Sequence, residues 1–507
     1  MGHLSSQLLR LLPLPLILFL SVALPRPVSA ECRILRRGLS RDLLILGTVL
    51  TSEGALTDSA VLVQSGEIAY VGDICGLGAG RGDASSVLDC AGSVISPGFV
   101  NTHEHIDFAT VRPLPDVVGG RVYYRHRHDW RVGARNHTAR EVAVNGSDVA
   151  ARAWGELRHL FSGTTALMGG EMAPGLARNL DFADGLGDGL AGPAATYDTF
   201  PLRDRLGIMR NGDCDYGPDP IDRATAAGYH RYVGHVGEGV DLEAANEFAC
   251  LSNVTFDVTP ALAGGGGGGG GLSTDIIGPN VALVHALGLT ARDFDVIAAR
   301  DAKVVWSPRS NMHLYGKTLN ASALLAAGIT VALGTDWLPS GSATMAREAA
   351  CAASVAREGY GVELAPKVLW EMATRNAAVV AGFEDRLGSL EAGKLADIVV
   401  FGEASPDGSN AVDPFAQAIF APQDKIELVL RGGKILLASS ALGDLASGTC
   451  EPVAFGKSDK VACVADELGS SFEEFAASLR GVYPAVLPDI PPDEPTCRVD
   501  RWVSSLD

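Results

Sequence analysis

None of the nine cysteines falls in a Cys-x-x-Cys pair, which disfavours a zinc site built on thiolates. The chain has no basic run. Asp and Glu outnumber Lys and Arg by 60 to 41, a formal charge of −19. That balance argues against nucleic acid and against an anionic membrane surface as partners. After residue 30 no stretch is long and apolar enough to span a bilayer. The eight glycines at 264–271 are not followed by Lys-Ser/Thr and open no helix, so they read as a loop and not as a phosphate cradle.

What is present suits a large folded chain. Its 507 residues, 47% of them hydrophobic, can bury the core of one large α/β domain and a smaller one. Arg10, the apolar stretch LLPLPLILFLSVALP and the small residues Val28-Ser29-Ala30 form the pattern of a cleaved leader over 1–30. The mature protein is therefore expected to be secreted or periplasmic, and free of the membrane. Cysteine use fits an oxidising compartment, with disulfides expected at Cys75–Cys90 and Cys450–Cys463 and at least one cysteine left over. Sequons begin at Asn136, Asn145, Asn253 and Asn320.

The organising stretch is VISPGFVNTHEHID, residues 94–107. Val94 and Ile95 read as a short buried strand, and His103 and His105 follow two apart. On extended backbone both imidazoles face one side, where they can begin a metal site, with Asp107 orienting one of them. Before this stretch, residues 42–74 alternate as β-structure with a hairpin at Ser65-Gly66. After it come helix 149–161, ended by Gly163, and the strand TTALMGG. Strand-like segments at 192–200, 231–240, 280–289, AKVVWSPRSN and ITVALGTD follow, with helices DLEAANEFACLS, TARDFDVIAAR (capped by Thr290) and LNASALLAAG between them. Alternation of this length predicts parallel βα units and a (β/α)8 TIM-type barrel. Seven strands are legible, and the missing one is placed between 200 and 230. Beyond 387 the pattern returns to β, with Gly432-Gly433 as a hairpin turn. The expected division is leader 1–30, composite β domain 31–93 and 387–440, barrel 94–386 and a Cys-containing extension 441–507.

Strand ends carry the chemistry: His103 and His105 on the first, His235 on the fifth and Asp336 on the last. Three imidazoles and a carboxylate suit one divalent ion, zinc before iron. Glu238, three residues past His235, can shuttle protons, and His285 can hydrogen-bond the attacking water or a developing oxyanion. Each residue alone is as readily a core histidine or a helix cap; together they form a constellation.

From about residue 42 to 440 the chain resembles the metal-dependent amidohydrolase superfamily, in its cytosine-deaminase and chlorohydrolase-like branch. The resemblance rests on PGFVNTHEH, GTTALMGG, HVGEG, the His285 strand, SPRSN, LGTDW and GSLEAGKLADIVVF. It implies a barrel with a composite β-sandwich and one zinc or iron on His103, His105, His235 and Asp336. It also implies that Glu238, His285 and Asp336 handle protons. Binuclear relatives bridge their metals with a carbamylated lysine, and no lysine lies between 163 and 200, so one metal is expected. Trp306-Ser307 stand where nucleobase-type deaminases often carry His-Cys, which speaks against a purine or pyrimidine substrate. The expectation is an exported hydrolase cleaving a non-peptide C–N bond of a small molecule. The alternatives are C–O or C–halogen hydrolysis on the same site, or a non-catalytic binding protein on a retained barrel. A homo-oligomer is left open. In YYRHRHDWR, Arg125, Arg127 or Arg131 could grip a substrate carboxylate or pair with Asp129 and surface acids, and Asn311 and Trp337 could line the pocket.

Overall fold

The computed structural model describes residues 31–499 apart from 79, 115–122, 141, 143–147, 170–172, 174, 260–271, 404–411 and 492. The expected leader, the glycine run and the sequon at Asn145 lie outside the described residues. No helix among the described residues is long and apolar enough to cross a membrane.

Strands from both ends of the chain share one ten-stranded sheet. Val94 and Ile95 belong to a long strand, Ser86–Pro97, which pairs in parallel with Leu43–Thr51 and antiparallel with Ile398–Phe401. The two expected hairpins flank this centre. Ser65 and Gly66 (φ 52° and 85°) turn one of them, and Gly432 and Gly433 (φ 54° and 75°) the other. Two successive positive φ values match the right-handed twist of the paired strands. The C-terminal strands Glu451–Phe455 and Ser458–Ala462 continue the same sheet at one edge.

The sheet order corrects one expected disulfide. Cys90 bonds Cys32, the residue just before the strand Arg33–Arg36 that pairs with its own, and Cys75 is free and exposed. Cys75 follows the edge strand Glu67–Asp73, three strand spacings from Ser86–Pro97, or about 14 Å. A disulfide cannot reach across that gap. Cys450–Cys463 forms as expected, and Cys214–Cys250 and Cys351–Cys497 complete the set.

Eight parallel-paired strands form the second core: β1 Phe99–Asn101, β2 Thr164–Leu167, β3 Arg178–Asn179, β4 Thr196–Asp198, β5 Tyr232–Val236, β6 Val281–His285, β7 Lys303–Trp306 and β8 Val331–Leu333. They run in two arcs, β1-β2-β3 and β4-β5-β6-β7-β8. Among the described residues no regular ladder joins the arcs. Backbone hydrogen bonds bridge both seams, Ala195 N–H to Leu180 O at 2.9 Å and Asp336 N–H to His103 O at 2.8 Å. The arrangement is TIM-barrel-like. Between 200 and 230 there is only the short helix Arg223–Gly228; the unread strand is β3. It has two residues, and its Arg178 is fully buried against Asp397, so it shows neither alternation nor an apolar run. AKVVWSPRSN is also part helix. The strand stops at Trp306, and a helix begins at Pro308, whose ring presets φ for a first helical position.

Arg178 ties the two layers together. Its Nε and Nη2 donate to the two oxygens of Asp397 at 2.7 and 2.9 Å, and Gly432 N–H, in a hairpin of the composite sheet, donates to the same carboxylate at 2.7 Å.

Candidate active site

The functional side chains meet at the C-terminal ends of the barrel strands, where this architecture gathers its chemistry. His103 and His105 lie just past β1, outside any ladder, and their Nε2 atoms are 3.3 Å apart. His235 on β5 brings its Nε2 to 3.1 Å from that of His103. Asp336, three residues past β8, places Oδ1 3.3 Å from His103 Nε2 and 3.5 Å from His105 Nε2. His285 closes β6 with Nε2 3.7 Å from both Asp336 Oδ2 and Glu238 Oε2. All six expected site residues are thus brought together.

Close strand approach makes this possible. A Cβ on Gly334 would sit 2.4 Å from His103 Cβ, so only glycine lets β8 reach β1 there. Asn101, Glu104, His159 and Thr335 form a buried hydrogen-bonded net across the same seam. His285, Ala286 and Asp336 hold positive φ (65°, 50° and 60°), a strain typical of residues whose side chains are aimed by the surrounding structure.

The outer nitrogens determine what the inner ones can do. His235 Nδ1 faces the Asp198 carbonyl at 3.4 Å, and His285 Nδ1 faces Asn311 Oδ1 at 3.0 Å. Neither oxygen can donate, so both Nδ1 atoms carry hydrogen. His103 Nδ1 meets Ser307 Oγ at 2.8 Å. Ser307 thus orients His103, the part expected of Asp107, which instead lies 3.7 Å from Arg152. The Nε2 lone pairs of His235 and His285 consequently point inward, toward the other imidazoles and a carboxylate. Two sets, His103/His235/His285 and His103/His105/Asp336, have all their ligand atoms within 4.8 Å. Uncharged imidazoles beside a carboxylate repel unless a cation lies among them, and this donor set fits a borderline divalent ion.

Electrostatics agree with uncharged imidazoles. Burial, then the neighbouring histidines, hold His103 and His235 well below the usual imidazole value. Burial raises the Asp336 carboxyl against the pull of His285. Burial also pushes Glu238 upward, but His285, Arg127 and the Tyr315 hydroxyl together outweigh it and leave the carboxyl below its ordinary value.

The RHRHDW segment has a role other than gripping a substrate. Arg127 is buried and committed to Asp204 (2.5 Å) and Glu247 (3.3 Å). Arg131 lies over the Phe200 ring and meets His128 Nδ1 at 2.9 Å. Asp129 pairs with Arg135. Arg125 instead borders a separate cavity of about 630 Å3 with Arg135, Asp241 and Glu243, and none of the converging histidines lines it. Trp337 donates its backbone N–H to Asp336 Oδ1 at 2.6 Å, and its ring stacks on Trp130 at 5.0 Å. Sequence reasoning passed over Tyr197, whose hydroxyl is 3.4 Å from His105 Nε2, and Tyr315. The only available signal for Tyr197 was its place on the strand that could have carried a bridging lysine.

Residues 261–436 match the amidohydrolase family. The chain is 26% identical over 424 residues to the 5′-deoxyadenosine deaminase of Methanothermobacter thermautotrophicus, covering 80% of this chain and 95% of that protein. It is 27% identical over 418 residues to the 5-methylthioadenosine/S-adenosylhomocysteine deaminase of Moorella thermoacetica, covering 77% and 92%. Among solved structures, the zinc-bound adenosine deaminase of Xanthomonas campestris superposes with a TM-score of 0.52 at 21% identity, over 87% of this chain and 98% of that one. The zinc complex of atrazine chlorohydrolase from Arthrobacter aurescens gives 0.55 at 20%, over 78% and 95%. At such identities these two structures speak to fold alone.

Proposed function

For this chain, which belongs to the metal-dependent amidohydrolase superfamily, we propose a place in its cytosine-deaminase and chlorohydrolase-like branch and an activity as an exported hydrolase that replaces an amino group on a small molecule's electrophilic carbon with water's oxygen. The observation that carries it is the convergence of donor atoms from His103, His105, His235 and Asp336 beside Glu238 and His285. Those four would hold one divalent ion, zinc before iron. A cation held there supplies Lewis acidity that brings the pKa of water down to about 7. His285, with hydrogen on Nδ1, presents Nε2 as an acceptor for a water proton. Asp336 Oδ2 is the second acceptor on the same side. Glu238 carries a proton on to the departing nitrogen. Export is supported by the leader pattern and by four disulfides among the described residues. The composite sheet is read as folding into a small sandwich beside a closed eight-stranded barrel.

Two relatives are named 5′-deoxyadenosine deaminase and 5-methylthioadenosine/S-adenosylhomocysteine deaminase, so amino-heterocycles, purines included despite Trp306-Ser307, are the first substrates to test. Purified protein supplied with zinc is expected to release ammonia from at least one of 5′-deoxyadenosine, 5′-methylthioadenosine and a simple aryl amide. Chloride release from atrazine without ammonia from any of these would move the reading to C–halogen hydrolysis. Metal binding with no turnover of any of them would favour the binding-protein alternative.

A further inference from the structure

Glu238 is held from two directions by parts of the chain that the proposed reaction does not otherwise use. Its backbone is clamped by the RHRHDW segment. Arg127 N–H donates to the Glu238 carbonyl at 3.0 Å, and His126 bridges to Gly239. From the other side, the helix Leu242–Ser252 brings in Glu247, whose carboxylate accepts the Gly237 N–H at 2.8 Å. With the main chain fixed, only the side-chain torsions of Glu238 remain to be set. Tyr315 meets that carboxylate, and Trp130 meets Tyr315. Trp130 is on the short helix Arg127–Val132 and Tyr315 ends the helix Pro308–Tyr315. The Tyr124 N–H donates to the Leu314 carbonyl at 3.0 Å and joins the two segments. Trp130 Nε1–H donates to the Tyr315 hydroxyl at 2.9 Å, and the Tyr315 hydroxyl lies 2.7 Å from Glu238 Oε1.

The direction of this chain of bonds follows from what each group can do. An indole N–H only donates. The phenol oxygen accepts that hydrogen, so its own single hydrogen points to Glu238 Oε1, which is thereby held as an acceptor. The carboxylate's other oxygen, Oε2, is the one 3.7 Å from His285 Nε2 at the centre of the site. We propose that Trp130 and Tyr315 are positioning residues that polarise Glu238, keeping Oε1 occupied so that protons enter and leave through Oε2 alone. The inference rests on the catalytic reading of Glu238, and it adds which oxygen acts and what makes it so. A proton taken up on Oε2 is then already aimed at the reacting centre, and no rotation of the carboxyl is needed before it is delivered. Hydrogen bonds in series polarise one another, so the indole strengthens the phenol as a donor.

The test uses the zinc-loaded full chain with Tyr315→Phe, Trp130→Phe, the double variant and Glu238→Gln. Zinc content, crystal structure and ammonia release from the best substrate of the panel above are measured for each. Tyr315→Phe is expected to keep its zinc and its KM within twofold while kcat falls about 10–100-fold, the scale of a small misplacement of a reacting group. Its crystal structure is expected to show Glu238 in more than one rotamer. Trp130→Phe is expected to lose less than about 10-fold, and that loss should vanish in the Tyr315→Phe background, because the indole acts only through the phenol. Unchanged kcat with Glu238 in its original rotamer in Tyr315→Phe would overturn the proposal, as would losses that simply multiply in the double variant. If Tyr315→Phe does not fold, as judged by circular dichroism, rotamer and kcat in Trp130→Phe decide the matter. Full activity in Glu238→Gln would count instead against the proposed function, so the two failures are distinct.

Discussion

Glu238→Gln is expected to lower kcat by at least about 10³-fold while the protein folds and binds its metal as before. General acid–base groups contribute about 10²–10⁴-fold, and among the described residues this carboxylate is the one buried acid that faces His285 without being among the sets of ligand atoms that converge on His103. Glutamine preserves the volume and can still accept from Tyr315 through its carbonyl oxygen, so the clamp around residues 237–239 should survive. What is lost is the ability of the second atom to take up and release a proton. Steady-state kinetics and elemental analysis on the same preparation check both halves of the statement. An active variant would remove Glu238 from the chemistry, and a metal-free one would make it a ligand.

The second large effect concerns folding. Asp397→Ala is expected to destabilise the protein by about 3–5 kcal/mol, the cost of leaving one partner of a buried ion pair behind. The Arg178 guanidinium is fully buried and would lose both bonds to the carboxylate, while Gly432 N–H would lose its acceptor. Replacing both residues, Arg178→Met with Asp397→Leu, should recover most of that loss, because no charge is then stranded. Urea midpoints of the single and double variants separate the cases. A single variant within about 1 kcal/mol of the parent would mean that this pair does not join barrel to sheet.

Much of the architecture was legible because it is periodic. The two glycine-bearing hairpins, the cap at Thr290 and the βα alternation are local signals, and each appears where expected. β3 was not legible, because it has only two residues and its Arg178 is buried by a partner, Asp397, more than two hundred residues away. The same holds for Cys32–Cys90, whose pairing follows from sheet order and not from spacing. At the site, residue type and position after a strand were enough to pick out the six side chains that converge. The groups that aim them, Ser307 on His103, Asn311 on His285 and Tyr315 on Glu238, come from the segment 307–315, whose first residues the pattern assigned to the strand AKVVWSPRSN and whose Asn311 it offered only as a lining residue. Their role depends on how tightly the strand ends approach, which no pattern of residues along the chain records.

Metal content per chain tests most directly whether His103, His105, His235 and Asp336 hold one catalytic metal ion. Elemental analysis of purified protein supplied with zinc, beside Asp336→Ala prepared identically, is expected to give about one zinc per chain in the parent and a clear loss in the variant. No bound metal in the parent after supplementation, or full occupancy in the variant, would contradict it.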